Sequence, residues 1–257
     1  MTNQFSHFLF AACILGFFAS TKSFAAPPAT AAVPASDPTS KNLALEKTRD
    51  GNLAIQPLNH AALRLEFKGK QYYVDPAGQA DWAKLPKADA IFVTHQHGDH
   101  LSVPTINIIK KDTTLIYANA DSVKVAGLGT PINVGETKQV LDITVEAIPA
   151  YNMSANRITL HPKERKDNGY VLTFADKRVY VAGDTEGTPE MKALKNIDIA
   201  FLPMNSPTMT TQECADAARA FKPKILYPYH QGQSNPAEVK ALLADEKGIE
   251  VRVLALP

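Results

Sequence analysis

Residues 90–100 read AIFVTHQHGDH: four apolar residues, followed by three histidines and an aspartate within six positions. A short apolar run of this kind predicts a buried strand. Alternate side chains of a strand point to the same face, so His95 and His97 can face one common position. Gly98 allows a tight bend, after which Asp99 and His100 can face a second position.

The residue types in this cluster are those that borderline divalent ions prefer. Zinc binds imidazole nitrogen and carboxylate oxygen, and the cluster offers both. Histidine runs also occur in solvated loops and in non-specific metal-binding tracts. Such tracts do not usually follow a buried strand with this ordered spacing. The stretch therefore predicts a metal site with the ligands His95, His97, Asp99 and His100.

Composition limits the classes of partner. The chain has 257 residues, of which 45% are hydrophobic and 21% charged, as in a soluble globular protein of one or two domains. The net charge is +1 and no basic stripe stands out, which argues against nucleic acid. We expect a small-molecule substrate, and the sequence does not decide the oligomeric state.

The N-terminal segment predicts export. Residues 8–19, FLFAACILGFFA, form an apolar run shorter than the ~20 residues of a membrane span. Ser23-Phe24-Ala25 then provides small residues for cleavage, which predicts a signal peptide over residues 1–25 and a periplasmic protein without stable membrane association. An uncleaved membrane anchor stays open, because no Lys or Arg precedes the apolar run.

A linker and one domain are expected after the leader. Residues 26–42 are rich in Pro, Ala, Ser and Thr and cannot bury enough apolar area to offset the entropy of ordering, which predicts a flexible linker. The folded domain is predicted over residues 43–257. Once the leader is removed, Cys214 is the one remaining cysteine, so no intrachain disulfide forms.

The pattern along the domain begins with strands and continues with alternating strands and helices. Lys68-Gly69-Lys70 predicts a hairpin turn. Thr210 and Glu213 have the spacing of a capping box at the start of a helix that runs to Phe221. A second helix is predicted over residues 237–245. Strands are predicted at 54–58, 62–67, 71–74, 90–93, 114–118, 144–149, 170–174, 178–182, 199–203 and 225–228.

The THxHxDH pattern at Thr94–His100 resembles that of the metallo-β-lactamase-fold hydrolases, and the resemblance extends from about Ala54 to the C-terminus. Asp184, in Ala182-Gly183-Asp184-Thr185, is similar to the metal-bridging aspartate of that family. His230, which ends a strand, is similar to its last metal histidine. The resemblance implies an α/β fold, a four-layered αβ/βα sandwich with one or two divalent ions in a cleft at the sheet edges. Zinc is the expected ion, with Mn²⁺ or Fe²⁺ as alternatives.

Asp184 also makes physical sense as a bridge. Two cations held about 3.5–4 Å apart repel each other, and a carboxylate between them can bind both. The alternative is an ordinary turn residue, because Gly-Asp-Thr is common turn chemistry after a strand.

Three further residues are predicted near the centre. The family usually places a histidine after the strand at 144–149, where this chain has Tyr151 and Asn152. Either His161 folds back to complete the site, or one metal position is weaker or empty. His60 resembles the N-terminal histidine of the branch that includes L-ascorbate-6-phosphate lactonase-like proteins, with a structural histidine as the alternative. Asp75 resembles a carboxylate that orients a metal-binding histidine.

These residues predict a hydrolase. A metal-activated water would attack a small ester, lactone, amide or phosphodiester, with Asp99 orienting the nucleophile and taking its proton. Polar residues in predicted loops are candidates for substrate binding: Tyr151, Asn152, Asn205 and Thr208. Two alternatives stay open, a metal-binding or sensory protein without turnover and a β-lactamase. Cys214 counts against the second, because the zinc-bound cysteine of such enzymes belongs at the Asp184 position.

Overall fold

The structure is a computed structural model that describes Met1 and residues 43–253. The predicted signal peptide and linker lie outside the described residues, apart from Met1, so export stays a prediction. Among the described residues, no helix has the length and apolar character that crossing a membrane requires.

The described residues form two seven-stranded sheets. In the first sheet the strands follow chain order, antiparallel from β1 to β4 and parallel from β4 to β7. Its strands are β1 Ala44–Thr48, β2 Gly51–Pro57, β3 Leu63–Phe67, β4 Lys70–Val74, β5 Ala90–Val93, β6 Leu115–Ala118 and β7 Thr130–Pro131.

The second sheet has the order β14-β13-β12-β11-β10-β9-β8. Strands β8 to β11 are antiparallel and β11 to β14 are parallel. The strands are β8 Thr137–Val140, β9 Ile143–Ala150, β10 Asp167–Phe174, β11 Lys177–Val181, β12 Ile199–Pro203, β13 Ile225–Tyr229 and β14 Glu250–Val251.

Helices cover the outer faces of the two sheets. The α-helices are α1 Val103–Ile109, α2 Ala120–Ala126, α3 Pro189–Lys192, α4 Thr211–Phe221 and α5 Pro236–Leu242, and short 3-10 helices lie at Trp82–Lys84 and Lys163–Arg165. Helix α4 begins with the predicted capping box: Thr210 Oγ1 accepts from Glu213 N, and a Glu213 carboxylate oxygen accepts from Thr210 N.

Three clusters of buried apolar residues lie between the layers of the fold. A central cluster holds buried residues of both sheets, with Phe67 and Phe174 in edge-to-face contact at 5.6 Å. A second cluster packs α4 against the second sheet through residues such as Phe221 and Tyr180. A third packs α1 on the first sheet. The order helix–sheet–sheet–helix is the predicted four-layered sandwich, which the structure confirms.

The sequence predicted the inner strands of the sheets more accurately than the edge strands and the ends of helices. The hairpin turn at residues 68–70 and the strand at 199–203 lie as predicted, whereas the last predicted helix ends at Leu242 instead of residue 245. Strands β1, β7, β8 and β14 and helices α2 and α3 were not predicted. Strands β1 and β8 have alternating or mostly exposed residues, so no apolar run marks them.

The topology brings the polar motifs to one region. Parallel strands end at a common edge, so the residues after β4 and β5 lie together, as do those after β11 and β13. Two hydrogen bonds join the sheets beside the histidine motif: Tyr170 Oη donates to Val93 O at 2.8 Å, and Asn168 N donates to Thr94 O at 3.0 Å. These bonds fix the two sets of motif residues relative to one another.

Candidate metal centre

The Asp184 carboxylate lies at the middle of the centre. Its Oδ2 is 3.9 Å from His95 Nε2 and 3.4 Å from His161 Nε2. Its Oδ1 is 3.2 Å from His100 Nε2 and 3.1 Å from His230 Nε2. Each carboxylate oxygen therefore faces its own pair of imidazole rings.

Asp184 belongs to two sets of side chains that can hold a metal ion. The first group is His95, His97, His161 and Asp184, and the second group is Asp99, His100, Asp184 and His230. Within each group the candidate ligand atoms all lie within 4.8 Å of one another. The structure thus brings six residues predicted as ligands, His161 among them, around the shared Asp184 carboxylate.

The buried polar atoms of the centre fit a cation. Within the described part of the chain, His95 Nε2, His100 Nε2, His230 Nε2 and Asp184 Oδ1 are buried without a hydrogen-bond partner. A buried polar atom without a partner is costly, and such atoms are normally paired or bound to a metal. Imidazole nitrogens around a carboxylate are donors suited to divalent transition ions.

Charge in the centre is unevenly placed. Burial, together with the neighbouring His100, holds the pKa of His95 well below its usual value, so His95 is neutral and offers a lone pair. Burial also lowers the pKa of His100, but the carboxylates of Asp184 and Asp75 outweigh it and hold that pKa well above its usual value. The proton on His100 occupies a place that a cation can take.

Asp75 fixes the orientation of His100 from behind. It is fully buried after β4, where its Oδ2 lies 2.8 Å from His100 Nδ1. Thr94 N donates to Asp75 Oδ1 at 2.7 Å and Thr94 Oγ1 donates to Oδ2 at 2.8 Å. A carboxylate on the outer nitrogen of a metal-binding histidine orients the ring and raises its basicity.

Replacement of Asp75 by asparagine is expected to weaken Zn²⁺ binding by about 10–100-fold. The amide keeps the size but puts a donor against Thr94 Oγ1 and His100 Nδ1. Competition with a chromophoric chelator measures the affinity. Asp89→Asn is the matched control, since Asp89 accepts from Gln71 N and pairs with Lys111 before β5, about 16 Å along that strand from Thr94. Equal affinities of the two variants would refute the role of Asp75.

His60 lies beside Asp99, outside both groups. Its Nε2 is 3.4 Å from Asp99 Oδ2, and His230 Nε2 lies at the same distance from that oxygen. The His60 ring packs on the His230 ring with centroids 3.8 Å apart, and His230 N donates to His60 O at 2.9 Å. His60 thus supports His230 and Asp99 at the exposed side of the centre, and its role as a ligand stays a prediction.

His161 folds back to the centre, which was one of the two alternatives. Asn152 N donates to His161 O at 2.8 Å, which closes the loop between β9 and β10. The Asn152 side-chain amide donates to Arg157 O and Pro207 O. The residue that stands where a family histidine was expected therefore helps to hold the loop that delivers His161.

Most of the residues predicted to bind substrate are buried and form hydrogen bonds within the protein. Asn152 and Thr208 are fully buried, and Thr208 Oγ1 donates to Asn205 O. Tyr151 is buried and donates to Glu190 Oε2 at 2.8 Å. Asn205 is half-buried against Gly232, two residues after His230. Burial opposes direct substrate contact for Asn152 and Thr208, and contact through Asn205 stays a prediction.

Arg165 and Asp167 were not predicted from the sequence. Arg165 Nη1 donates to His97 Nε2 at 3.1 Å, and Nη2 donates to His161 Nδ1 at 2.9 Å. Arg165 Nε donates to both Asp167 oxygens at 2.9 and 2.8 Å. The contact with His97 spans 68 residues, so no local pattern reveals it. The one signal in the sequence for this ion pair was an Arg and an Asp two residues apart, where β10 begins.

The fold and the centre together define a class of protein. The sequence profile of the β-lactamase superfamily domain matches residues 65–231, which includes β5, Asp184 and His230. The chain belongs to this superfamily, and within it to the UPF0173 group of metal-dependent hydrolases. Its assignment to the L-ascorbate-6-phosphate lactonase-like branch stays a prediction.

Individual relatives span nearly the same domain. The UPF0173 metal-dependent hydrolase of Methanopyrus kandleri is 31% identical over 227 residues, which are 79% of this chain and 96% of that protein. A crystal structure of a proposed metal-dependent hydrolase from Parabacteroides distasonis is 46% identical, with a TM-score of 0.81, over 84% of this chain and 99% of that one. The metallo-hydrolase Igni18 of Ignicoccus hospitalis, 22% identical with a TM-score of 0.66, shares the fold.

Proposed function

We propose that this metal-dependent hydrolase uses a metal-activated water to cleave a small ester, lactone, amide or phosphodiester. It does so with one or two divalent ions, of which zinc is the expected one. The observation that carries the proposal is the Asp184 carboxylate, whose two oxygens face two separate pairs of imidazole nitrogens. Asp184 and the surrounding imidazole rings would hold a divalent ion, which would supply Lewis-acid chemistry: a lower pKa of a water and a polarised scissile carbonyl or phosphoryl oxygen.

The residues of the chain hold the centre and move the proton. Asp99 is the accessible carboxylate of the second group, with 47% of its side chain exposed. Hydrogen bonds with His230 and His60 hold the pKa of Asp99 well below its usual value, so it is ionised and can orient the attacking water. His60 Nε2, 3.4 Å from Asp99 Oδ2 and one-third exposed, is the atom through which the proton leaves to solvent.

A protein that binds metal without turnover is the second candidate. Arg165 favours it, because the guanidinium lies against His97 and His161 of the first group. A β-lactamase is disfavoured, since the free Cys214 is buried in α4 and takes no part in the centre.

The test is a substrate panel with the full chain loaded with Zn²⁺ or Mn²⁺. The panel holds aryl esters, lactones, anilides, a phosphodiester and nitrocefin, with Asp184→Asn as the blank. We expect turnover of at least one class that the chelated protein and the variant lack. Metal binding with no turnover of any class would favour the non-catalytic candidate, and nitrocefin turnover alone would establish a β-lactamase.

A further inference from the structure

The two metal-binding groups carry different charges. The second group includes the carboxylates Asp99 and Asp184, and a third, Asp75, lies behind His100. The first group has Asp184 as its one carboxylate. The guanidinium of Arg165 contacts two of its histidines, His97 and His161. The Asp167 carboxylate, which lies 3.6 Å from His161 Nδ1, pairs with Arg165, so this ion pair adds no net negative charge to the first group. A cation is therefore drawn more strongly to the second group.

Arg165 also decides where the protons of these histidines lie. A guanidinium has donors and no acceptor, so His161 Nδ1 must accept from Arg165. A neutral ring that accepts at Nδ1 carries its proton on Nε2. In His161 that atom faces Asp184 Oδ2 at 3.4 Å, where a metal would need the lone pair. Histidines that bind a metal normally donate with the outer nitrogen, the reverse of this arrangement.

The guanidinium is firmly held. Asp167, 1% exposed, binds Arg165 through both carboxylate oxygens and accepts from Asn119 Nδ2 at 3.0 Å. The Arg165 side chain is itself 14% exposed. A charge-assisted pair with little exposure to solvent resists displacement. Metal binding at the first group must work against this pair.

We propose that Arg165 makes the first group the weaker of two cation sites, so that the second group fills first and Arg165 controls whether the centre holds one ion or two. The proposal rests on the proposed function insofar as both need metal at this centre. Its test uses Zn²⁺ without substrate, so a chain that binds zinc in this order but hydrolyses nothing refutes the proposed function alone.

The first experiment titrates the chelator-treated full chain with Zn²⁺ by calorimetry, with the bound metal counted by mass spectrometry. We expect two steps that differ at least about tenfold in affinity, a gap of about 1.4 kcal/mol. His161→Ala should remove the weak step and keep the tight one. Two equal steps in the unaltered chain, or loss of the tight step in His161→Ala, would overturn the proposal.

The second experiment removes the Arg165–Asp167 ion pair without changing the net charge, by combining Arg165→Met with Asp167→Asn. The weak step should strengthen about tenfold, because His161 can then carry its proton on Nδ1, the outer nitrogen, and leave the Nε2 lone pair free. The matched control combines Arg178→Met with Glu146→Gln, which removes an Arg–carboxylate pair between β11 and β9. The control should leave both steps unchanged.

A weak step that becomes weaker or disappears in the Arg165 double variant, with circular dichroism showing a folded chain, would mean that Arg165 supports the histidines as ligands and would refute the proposal. If that variant does not fold, Arg165→Lys, which keeps the positive charge but loses the planar fork of donors, takes its place, and the affinity of the weak step decides between the same two outcomes.

Discussion

Replacement of Asp184 by asparagine is expected to lower hydrolysis on the order of 10³-fold and to lower Zn²⁺ binding at both groups. The amide is neutral, so both pairs of histidines lose their shared anion, and its NH2 group also replaces one of the two oxygen acceptors by donors. Removal of one charged partner from a buried ionic cluster costs about 3–5 kcal/mol, and each 1.36 kcal/mol is tenfold in rate. Steady-state turnover and bound-metal counts measure the effect.

Asp198→Asn is the matched control for this variant. Asp198 is also buried, but it lies at the start of β12, where it accepts from Arg178 N at 2.9 Å and pairs with Lys224. Its replacement should lower stability and leave turnover per folded molecule unchanged. Turnover in Asp184→Asn close to that of Asp198→Asn would show that Asp184 is not shared between the two groups.

Replacement of Gly183 by alanine is expected to lower stability by about 1–3 kcal/mol and turnover by about 10²-fold. Gly183 has φ +67°, and a Cβ there would lie 3.0 Å from both Asn168 O and Thr94 Cβ. The same two residues form the hydrogen bond from Asn168 N to Thr94 O that joins the two sheets. We therefore expect relief of the clash to move Asp184 away from the histidine motif. Thermal unfolding and turnover together measure this effect.

Gly127→Ala separates the backbone strain from the clash. Gly127 has nearly the same φ, +65°, at the end of α2, and nothing lies within 4 Å of an added Cβ. We expect a loss of stability of about 1 kcal/mol with unchanged turnover. If Gly183→Ala behaves in the same way as Gly127→Ala, the close approach at Gly183 does not position the centre.

Much of the fold could be predicted because apolar runs mark its central strands. Residues 90–93 are buried on both faces and consist of apolar residues alone, so the strand and the motif after it stand out. The capping box at Thr210 is likewise a local signal that the structure confirms. Edge strand β8, Thr137–Val140, has three of its four residues exposed or half-exposed, so its sequence carries no such signal.

The centre was predictable where ligands follow strands and unpredictable where loops deliver side chains. Asp184 and His230 follow β11 and β13 closely, so their convergence follows from the parallel order of those strands. His161 reaches Asp184 through a loop closed by the Asn152–His161 hydrogen bond, and either of two outcomes was compatible with the sequence. Arg165 binds His97 across 68 residues, a contact that only the folded chain creates.

The bridge at Asp184 is the central claim, and crystals of the full chain grown with excess Zn²⁺ test it most directly. Anomalous scattering on both sides of the zinc absorption edge locates the ions independently of the protein atoms. We predict two peaks that flank the Asp184 carboxylate, one beside His95, His97 and His161, and one beside Asp99, His100 and His230. Zinc bound elsewhere, or ions at the centre that do not contact Asp184, would contradict the account.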